Sequence, residues 1–423
     1  MAETSNIKDT DNTGNAKNAK KKKTLPLAGQ IFIALILAIV AGLLMQNHAG
    51  IANDYIKPFG TIFLNLVKFI VGPIVLFSIM AGVISLSDIR KIGSIGGITI
   101  VYYMITTAVA TTLGLLVANA AKGMFPVIST DGLSYMFAQT ESAPLDVVVN
   151  IFPSTFLSPI VNANMLQVIV MALFIGFAII LLGEKAKGAV SSINMWNDIF
   201  MKVMDMILRL SPVGVFCLLC PVIADNGAAV IGSLAKVLLI AYICYALHAI
   251  ITYSLTVKTM GGMSPAKFFK GMMPAMLFAF SSASSVGTLP INMECCENLG
   301  ASKEVASFVL PLGATINMDG TAIYQGVCAV FIASCYGLTL SPSQIVTIVL
   351  TATLASIGTA GVPGAGMVML AMVLESVGLP VDGIALVAGV DRIFDMGRTT
   401  LNITGDASCA IIVSNLLKKR EAK

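Results

Sequence analysis

The chain has 423 residues, of which 57% are hydrophobic and only 11% are charged, and its formal net charge is +4. A soluble domain carries about 25% charged residues, so the composition excludes an ordinary soluble protein. It predicts an all-α polytopic membrane protein surrounded by lipid, and the small net charge gives no reason to expect a nucleic-acid partner.

The first part of the chain predicts a tail followed by spanning helices. Residues 1–24 are polar and include four consecutive lysines, which predicts a disordered cytoplasmic tail rather than a cleaved signal peptide. Each of six apolar segments that follow is long enough to span a membrane. They are residues 25–45, 58–86, 98–118, 165–182, 199–223 and 228–257. Residues 119–160 are mixed and proline-containing, which predicts a loop with broken helical pieces.

Basic residues set the expected orientation. They cluster near both ends of the chain and after the second, fourth and sixth apolar segments. An even number of crossings puts all of these clusters, and both termini, on the cytoplasmic side, in agreement with the positive-inside rule.

Cysteine and histidine are too sparse to predict a metal or redox centre. Cys217 and Cys220 form a C-x-x-C inside an apolar segment, but no second pair accompanies them. The only histidines are His48 and His248, and the sequence places no plausible partner near either. We expect buried thiols, with a zinc or redox site as the alternative. No motif of a hydrolase is present either, so we expect a protein that is not an enzyme.

The C-terminal third consists of interrupted apolar stretches. Residues 273–293 are cut by a serine-rich break, and residues 345–374 by a glycine-rich break at 356–366. Each break is followed by a long helix that carries polar residues, and such paired interruptions are typical of a transporter binding site. We therefore predict two hairpins that dip into the membrane, with kinked spanning helices as the alternative.

Between these breaks, residues 305–335 are cut by Asn317-Met318-Asp319-Gly320-Thr321. Asp and Asn compete for backbone hydrogen bonds and Gly is a poor helix former, so we predict an unwound turn. Its carbonyls, amide and carboxylate are hard oxygen ligands that suit an alkali cation. A simple kink is the alternative, although it leaves Asp319 unpaired in the membrane.

The last apolar region carries a polar stripe. Asp395, Arg398, Asn402 and Asp406 follow one another at steps of three, four and four, which places them on one face of a helix. Each charge at bilayer depth costs about 2.5–3.5 kcal/mol, so such residues are usually functional. A structural ion-pair network is the alternative.

These motifs resemble those of a known family. The run Gly287-Thr288-Leu289-Pro290 after the serine-rich break and the stretches 311–327, 355–366 and 395–406 are similar to the dicarboxylate/amino acid:cation symporters, the glutamate transporter homologues. The resemblance implies eight transmembrane helices, two re-entrant helical hairpins, inverted repeats, a homotrimer and an elevator mechanism. It implies that residues 25–257 form mainly a trimerisation scaffold, with the third and sixth helices joining the transport core formed by residues 258–423.

The resemblance also implies the substrate contacts. Arg398 would bind a side-chain carboxylate, which its guanidinium fork matches, and Asp395 would bind the α-ammonium group. Hydrogen bonds would come from Thr399, Asn402 and Thr321. The α-carboxylate would be held by Ser285 and by backbone around Gly361, Val362 and Gly366.

Three sodium sites are implied in the same way. The first would use Gly313, Asn317, Asn402 and Asp406. The second would use Thr315, Ser356, Ile357 and Thr359. The third would use Tyr103, Thr106, Thr107, Asn317 and Asp319. On their own, Tyr103, Thr106 and Thr107 would indicate ordinary interhelical hydrogen bonding. No further intramembrane titratable group is expected at these sets, so we predict that Na⁺ rather than a proton is the co-transported ion.

The chain departs from the family at one feature. Many relatives carry a further arginine where this chain has Ala283 or Met396, and we expect Arg392 to balance Asp395 instead. The sequence therefore predicts a sodium-driven symporter of aspartate or glutamate in the plasma membrane. Alternatives are a proton-coupled, dicarboxylate or cystine carrier of the same family, or an ion channel.

Overall fold

The computed structural model describes residues 27–85, 94–125, 149, 152–162, 164–227, 229–357 and 365–421. All regular structure in these ranges is helical. The first seven long helices are α1 Leu27–Leu44, α2 Lys57–Ser85, α3 Ser94–Ala120, α4 Met165–Leu182, α5 Lys187–Leu208, α6 Ser211–Asn226 and α7 Ala229–His248. Shorter helical turns in this half are Gln46–His48, Ala49–Ile51, Ala52–Ile56, Lys122–Met124, Ser158–Val161, Gly183–Ala186, Ala249–Tyr253 and Ser254–Thr259.

The C-terminal half contains shorter helices. They are α8 Pro265–Ser282, α9 Ser285–Asn298, α10 Lys303–Ile316, α11 Asp319–Cys335, α12 Pro342–Ala355, α13 Ala365–Ser376, a turn at Val381–Gly383, α14 Ile384–Ala388 and α15 Asp391–Glu421. The helix breaks at the predicted interruption between residues 317 and 321, because Asn317 adopts an extended backbone between α10 and α11. The unwound turn predicted there is confirmed.

Most of the predicted apolar segments form helices close to their expected bounds, and residues 165–182 match α4 at both ends. The fifth segment was predicted too short. Helix α5 begins at Lys187 rather than at residue 199, because its first three turns are amphipathic and mostly exposed, so they lack the continuous apolar run used to predict a span. The chain is interrupted before Ser211-Pro212, as expected, at Arg209 and Leu210.

The helices pack in two groups. In one, α1 lies against α6, and α2 lies against α4, α5 and α6. In the other, α3 and α7 pack on α11, while α8, α9, α10 and α11 pack around α15. Helices α12 and α13 pack on each other and reach α3 and α2, respectively. This arrangement places α15, with its polar stripe, inside the second group.

Five helical stretches within the described ranges are long and apolar enough to cross a membrane. They are Gln46–Ile84, Gly96–Ala120, Gln167–Leu208, Gly232–Thr259 and Lys303–Cys335. Shorter apolar helices cover Gly29–Leu44, Ser211–Asp225, Pro342–Ala355 and Gly366–Ser376. The protein is thus an all-helical protein suited to a membrane, whereas the count of eight spans and the re-entrant depth of the hairpins stay predictions.

The eight cysteines are buried free thiols. Cys217 and Cys220 lie in α6, where they pack among apolar side chains. The expectation of buried thiols is confirmed.

Candidate functional site

Helix α15 supplies the centre of the site. It runs unbroken through the polar stripe, and Asp395, Arg398, Asn402 and Asp406 are all buried on it. The predicted common face is confirmed, since these side chains meet the helices of the hairpins and of the interrupted segment rather than the outer surface.

Arg398 is held by two carboxylates. Its Nε donates to Asp395 Oδ1 over 2.9 Å, and its Nη1 donates to Asp391 Oδ1 over 3.1 Å. A longer bond of 3.4 Å joins Nη2 to Asp391 Oδ2. The guanidinium carbon also lies 4.8 Å from the centre of the Tyr324 ring, within reach of a cation–π interaction. The buried ion-pair network considered as an alternative therefore exists, and it includes Asp391.

Sequence reasoning missed Asp391 as a partner of Arg398. The two residues are seven positions apart, which is close to two turns of a helix and keeps them on one face. That spacing was a usable signal. Tyr324 gave no comparable signal, because it comes from α11 and meets Arg398 only through tertiary packing.

Arg392 links α15 to the first hairpin. Its Nη2 donates to the backbone oxygen of Ser282 over 3.0 Å, and its Nη1 lies 3.8 Å from Asp395 Oδ2. Arg392 thus lies near Asp395 as expected, and its role in balancing that carboxylate stays a prediction. With all side chains ionised, Asp391, Asp395, Arg392 and Arg398 sum to zero charge, which makes the cluster tolerable inside an apolar protein.

The turn between α8 and α9 is tight. Ala283 has a positive φ of 50°, and the side chain of Ser284 caps α9 by accepting a hydrogen bond from the Gly287 N–H. Ser285 is the first residue of α9 and is buried. The end of α8 thus reaches the charged cluster through the Arg392 bond to Ser282.

The second hairpin also approaches the cluster. Gly361, Val362 and Thr359 lie outside the described residues, so their predicted roles stay predictions. Gly366, in the first turn of α13, is buried directly against Arg398, and a Cβ atom added there would overlap the guanidinium. The close approach requires a residue without a side chain at this position.

A second polar layer joins α15 to α11. Asn402 Oδ1 accepts a bond of 2.7 Å from the Gly320 N–H, and its Nδ2 lies 3.4 Å from Thr321 Oγ1. Thr399 Oγ1 lies 3.5 Å from Asp395 Oδ1. The structure therefore brings the predicted substrate residues Thr321 and Asn402 together and places Thr399 beside Asp395.

The first predicted cation set is brought together. Asn317 Nδ2 donates to Asp406 Oδ1 over 2.9 Å and to the backbone oxygen of Asn402 over 3.1 Å. Gly313 faces them so closely that a Cβ would overlap the Asp406 carboxylate and the Tyr103 hydroxyl. Asn317 Oδ1 is buried and has no hydrogen-bond partner among the described residues. An unsatisfied buried oxygen beside a carboxylate is a fitting donor set for an alkali cation.

The second predicted cation set is not joined by hydrogen bonds within the described ranges. Thr315 Oγ1 donates to the oxygen of Leu312, and Ser356 Oγ donates to that of Thr353, each within its own helix. Ile357 is buried in the turn that follows α12.

The third predicted cation set centres on Asp319. Its Oδ1 accepts from Thr107 Oγ1 over 2.7 Å and from Thr106 Oγ1 over 3.3 Å. Tyr103 instead donates to the oxygen of Val309 over 3.1 Å, and Asn317 turns toward Asp406. Asp319 is thus paired, so the unwound turn does not leave it bare.

The expectations that neither histidine has a partner, and that no further titratable group stands at the cation sets, were wrong. His248 is fully buried, and its Nε2 lies 3.1 Å from Asp319 Oδ2. The histidine therefore has a carboxylate partner, and an intramembrane titratable group does stand at the third set. Tyr253 also donates to Asp319 Oδ2 over 2.8 Å. These contacts could not be predicted from the sequence. His248 and Tyr253 are five positions apart, and a regular α-helix would turn their side chains to different sides.

An apolar helical protein with a charged cluster at its centre belongs to the class of membrane-embedded proteins. Comparison with known proteins identifies the family: the chain belongs to the sodium:dicarboxylate symporter family, which it matches over residues 27–416. The resemblance noted in the sequence is confirmed, and the protein is a transporter of a family of symporters.

Three relatives illustrate the range of the family. The chain is 35% identical over 400 residues to the proton/sodium-glutamate symport protein of Geobacillus stearothermophilus, covering 93% of this chain and 94% of that protein. It is 32% identical over 413 residues to the proton/glutamate-aspartate symporter of Escherichia coli (strain K12), covering 94% of each. It is 31% identical over 395 residues to the C4-dicarboxylate transport protein of Bacillus subtilis (strain 168), covering 92% of this chain and 93% of that protein.

Proposed function

We propose that this chain is a sodium-coupled secondary active symporter for acidic amino acids, aspartate or glutamate, and not an enzyme. The observation that carries the proposal is the buried Arg398, which lies between carboxylates on α15 and Gly366 at the second hairpin. A guanidinium donates two parallel hydrogen bonds to a carboxylate. The names of two of the relatives, a glutamate and a glutamate-aspartate symporter, agree with that ligand.

The charge pattern supports an amino acid over a plain dicarboxylate. Asp395 lies next to Arg398, and its carboxylate is the group proposed to bind an α-ammonium group in addition to its contacts within the protein. A dicarboxylate has no positive group for it, while a neutral amino acid lacks the second carboxylate for Arg398. Hydrogen bonds from Thr321, Thr399 and Asn402, and from Ser285, Gly361, Val362 and Gly366 at the hairpins, complete the proposed site.

Sodium ions are the proposed co-substrates. The donor set at Gly313, Asn317, Asn402 and Asp406 contains an unsatisfied buried amide oxygen and a carboxylate, and the third set contains Asp319 with two threonine hydroxyls. The second set, Thr315, Ser356, Ile357 and Thr359, is proposed from the family pattern alone.

We further propose an elevator mechanism in a homotrimer. The two packing groups agree with a scaffold of α1, α2, α4, α5 and α6 and a mobile core built on α15 with α3 and α7. In this proposal eight helices span the plasma membrane and two re-entrant hairpins enter it without crossing. Both termini lie on the cytoplasmic side.

The test is uptake of labelled aspartate into proteoliposomes with imposed gradients. A sodium gradient at equal pH should drive accumulation, and Arg398→Ala should abolish it. Arg398→Lys keeps the positive charge, so a folded variant can be compared if the alanine variant is unstable. Accumulation that needs no sodium would refute the sodium coupling, and accumulation in folded Arg398→Lys or Arg398→Ala at the wild-type rate would refute the site.

Proton coupling is the second candidate, because His248 lies against Asp319 and two of the relatives described above include a proton in their names. A pH gradient without sodium separates the two, since only a proton symporter would accumulate aspartate under it. Competition by succinate distinguishes an amino-acid symporter from a dicarboxylate carrier. In a dicarboxylate carrier, succinate at a concentration similar to that of aspartate would inhibit aspartate uptake.

A further inference from the structure

The sixth predicted span contains an irregular turn. Helix α7 ends at His248, residues Ala249–Tyr253 form a π-helical turn, and Ser254–Thr259 continues the helix. Such turns are rare and occur often at functional sites. In a regular α-helix two residues five positions apart point about 140° away from each other. The π turn closes that gap, so that His248 and Tyr253 meet the same oxygen of Asp319.

The hydrogen bonds fix the orientation of the histidine. Thr252 Oγ1 lies 3.3 Å from His248 Nδ1, and Nε2 lies 3.1 Å from Asp319 Oδ2. A carboxylate only accepts, so Nε2 donates to Asp319, and in the neutral imidazole Nδ1 accepts from the hydroxyl of Thr252. The imidazole also packs edge-on against the Tyr253 ring, with centroids 4.9 Å apart at 84°. Both ring nitrogens are therefore used.

The two oxygens of Asp319 consequently have different surroundings. Oδ2 is bound by His248, just before the π turn, and by Tyr253 at its end, while Oδ1 faces the hydroxyls of Thr106 and Thr107 on α3. The threonine hydroxyls and Oδ1 belong to the third proposed cation set. Groups behind a metal-binding carboxylate commonly set its orientation, and their loss typically weakens metal binding by about 10- to 100-fold.

We infer that His248 is a positioning residue for the third sodium site: its bond to Asp319 Oδ2 holds the carboxylate so that Oδ1 points to Thr106 and Thr107. The inference rests on the proposed sodium coupling. The π turn is needed for this arrangement, because without it only one of His248 and Tyr253 would reach Asp319. His248 does not touch the ion in this arrangement and acts through the carboxylate.

The test separates the hydrogen bond from the packing of the ring. His248→Phe keeps an aromatic ring beside Tyr253 but cannot donate, whereas His248→Gln offers an amide N–H but no ring. The sodium concentration for half-maximal aspartate binding is measured for both on the full-length protein, together with aspartate affinity at saturating sodium. We expect His248→Phe to raise the half-maximal sodium concentration about 10-fold and His248→Gln to stay within about threefold of wild type. The sodium shift should exceed any change in aspartate affinity.

A wild-type sodium dependence in His248→Phe would overturn the inference, as would equal shifts in both folded variants. If His248→Phe is not recovered folded, His248→Asn, whose amide is too short to reach, takes its place with the same expected outcomes. Measurements on the wild type and on Asp319→Asn distinguish a failure of the proposed sodium coupling from a failure of the inference about His248. Sodium-independent binding by the wild type refutes the proposed function. Sodium-dependent binding that Asp319→Asn impairs and His248→Phe does not refutes only the inference about His248.

Discussion

Gly366 offers the sharpest geometric test of the site. The residue lies in the first turn of α13 against the Arg398 guanidinium, and a methyl group there would occupy the space of that guanidinium. Gly366→Ala therefore forces Arg398 to move while leaving every charge in place. The substitution should reduce substrate binding without removing any side chain that contacts the substrate.

The size of the effect follows from the hydrogen bonds that Arg398 makes and from the one that it is proposed to make to the substrate. Its guanidinium makes bonds of 2.9 Å to Asp395 and of 3.1 and 3.4 Å to Asp391. A displaced guanidinium would also be misplaced for the carboxylate of the proposed substrate. A hydrogen bond to a charged group contributes about 1.5–3 kcal/mol, so the loss of one such bond to the substrate corresponds to a loss of aspartate affinity of about 10- to 100-fold.

The assay is equilibrium binding of aspartate to the purified protein at saturating sodium. Gly232→Ala in α7 is the matched control, because a Cβ there meets no atom within 4 Å; its affinity should equal that of the wild type. The reasoning is refuted if folded Gly366→Ala binds aspartate as tightly as the control.

Two further substitutions test the other contacts of the cluster. Arg392→Gln should weaken aspartate binding about fivefold, because it removes a positive charge beside the site of a solute with net negative charge, and a partly exposed charge contributes only about 1 kcal/mol. The control is Arg209→Gln, which removes an exposed arginine–aspartate pair and should have no effect; equal affinities in both variants would contradict the role of Arg392. Asp391→Asn should lower the free energy of unfolding of the substrate-free protein by at most about 3–5 kcal/mol, because Arg398 loses its bidentate carboxylate partner and keeps only Asp395. An unchanged melting temperature would show that the pair contributes nothing.

The parts of the fold that the sequence predicted share a local cause. Helical periodicity placed Asp395, Arg398, Asn402 and Asp406 on one face, and the backbone preferences of Asn and Gly predicted the break after Ile316. These features depend on residues within a few turns of each other, so the sequence alone contains the necessary information.

The features that were missed depend on tertiary contacts or on unusual helix geometry. The start of α5 was missed because amphipathic turns do not register as a spanning segment. The joint contact of His248 and Tyr253 with Asp319 needs a π turn, which is defined by i→i+5 hydrogen bonds, and no residue type predicts such a turn. The packing of Tyr324 on Arg398 joins two helices that lie far apart in the chain. Residue roles in binding stay predictions, because contacts within the protein do not identify a solute.

The central claim is that Arg398 recognises the side-chain carboxylate of an acidic amino acid. The most direct measurement is a thermodynamic cycle that compares the binding of aspartate and asparagine to the wild type and to Arg398→Lys, at saturating sodium. Lysine keeps the charge but lacks the planar fork, so the preference for aspartate should fall by about 2 kcal/mol, or about 30-fold. An equal preference for aspartate over asparagine in both proteins would show that Arg398 does not read this carboxylate.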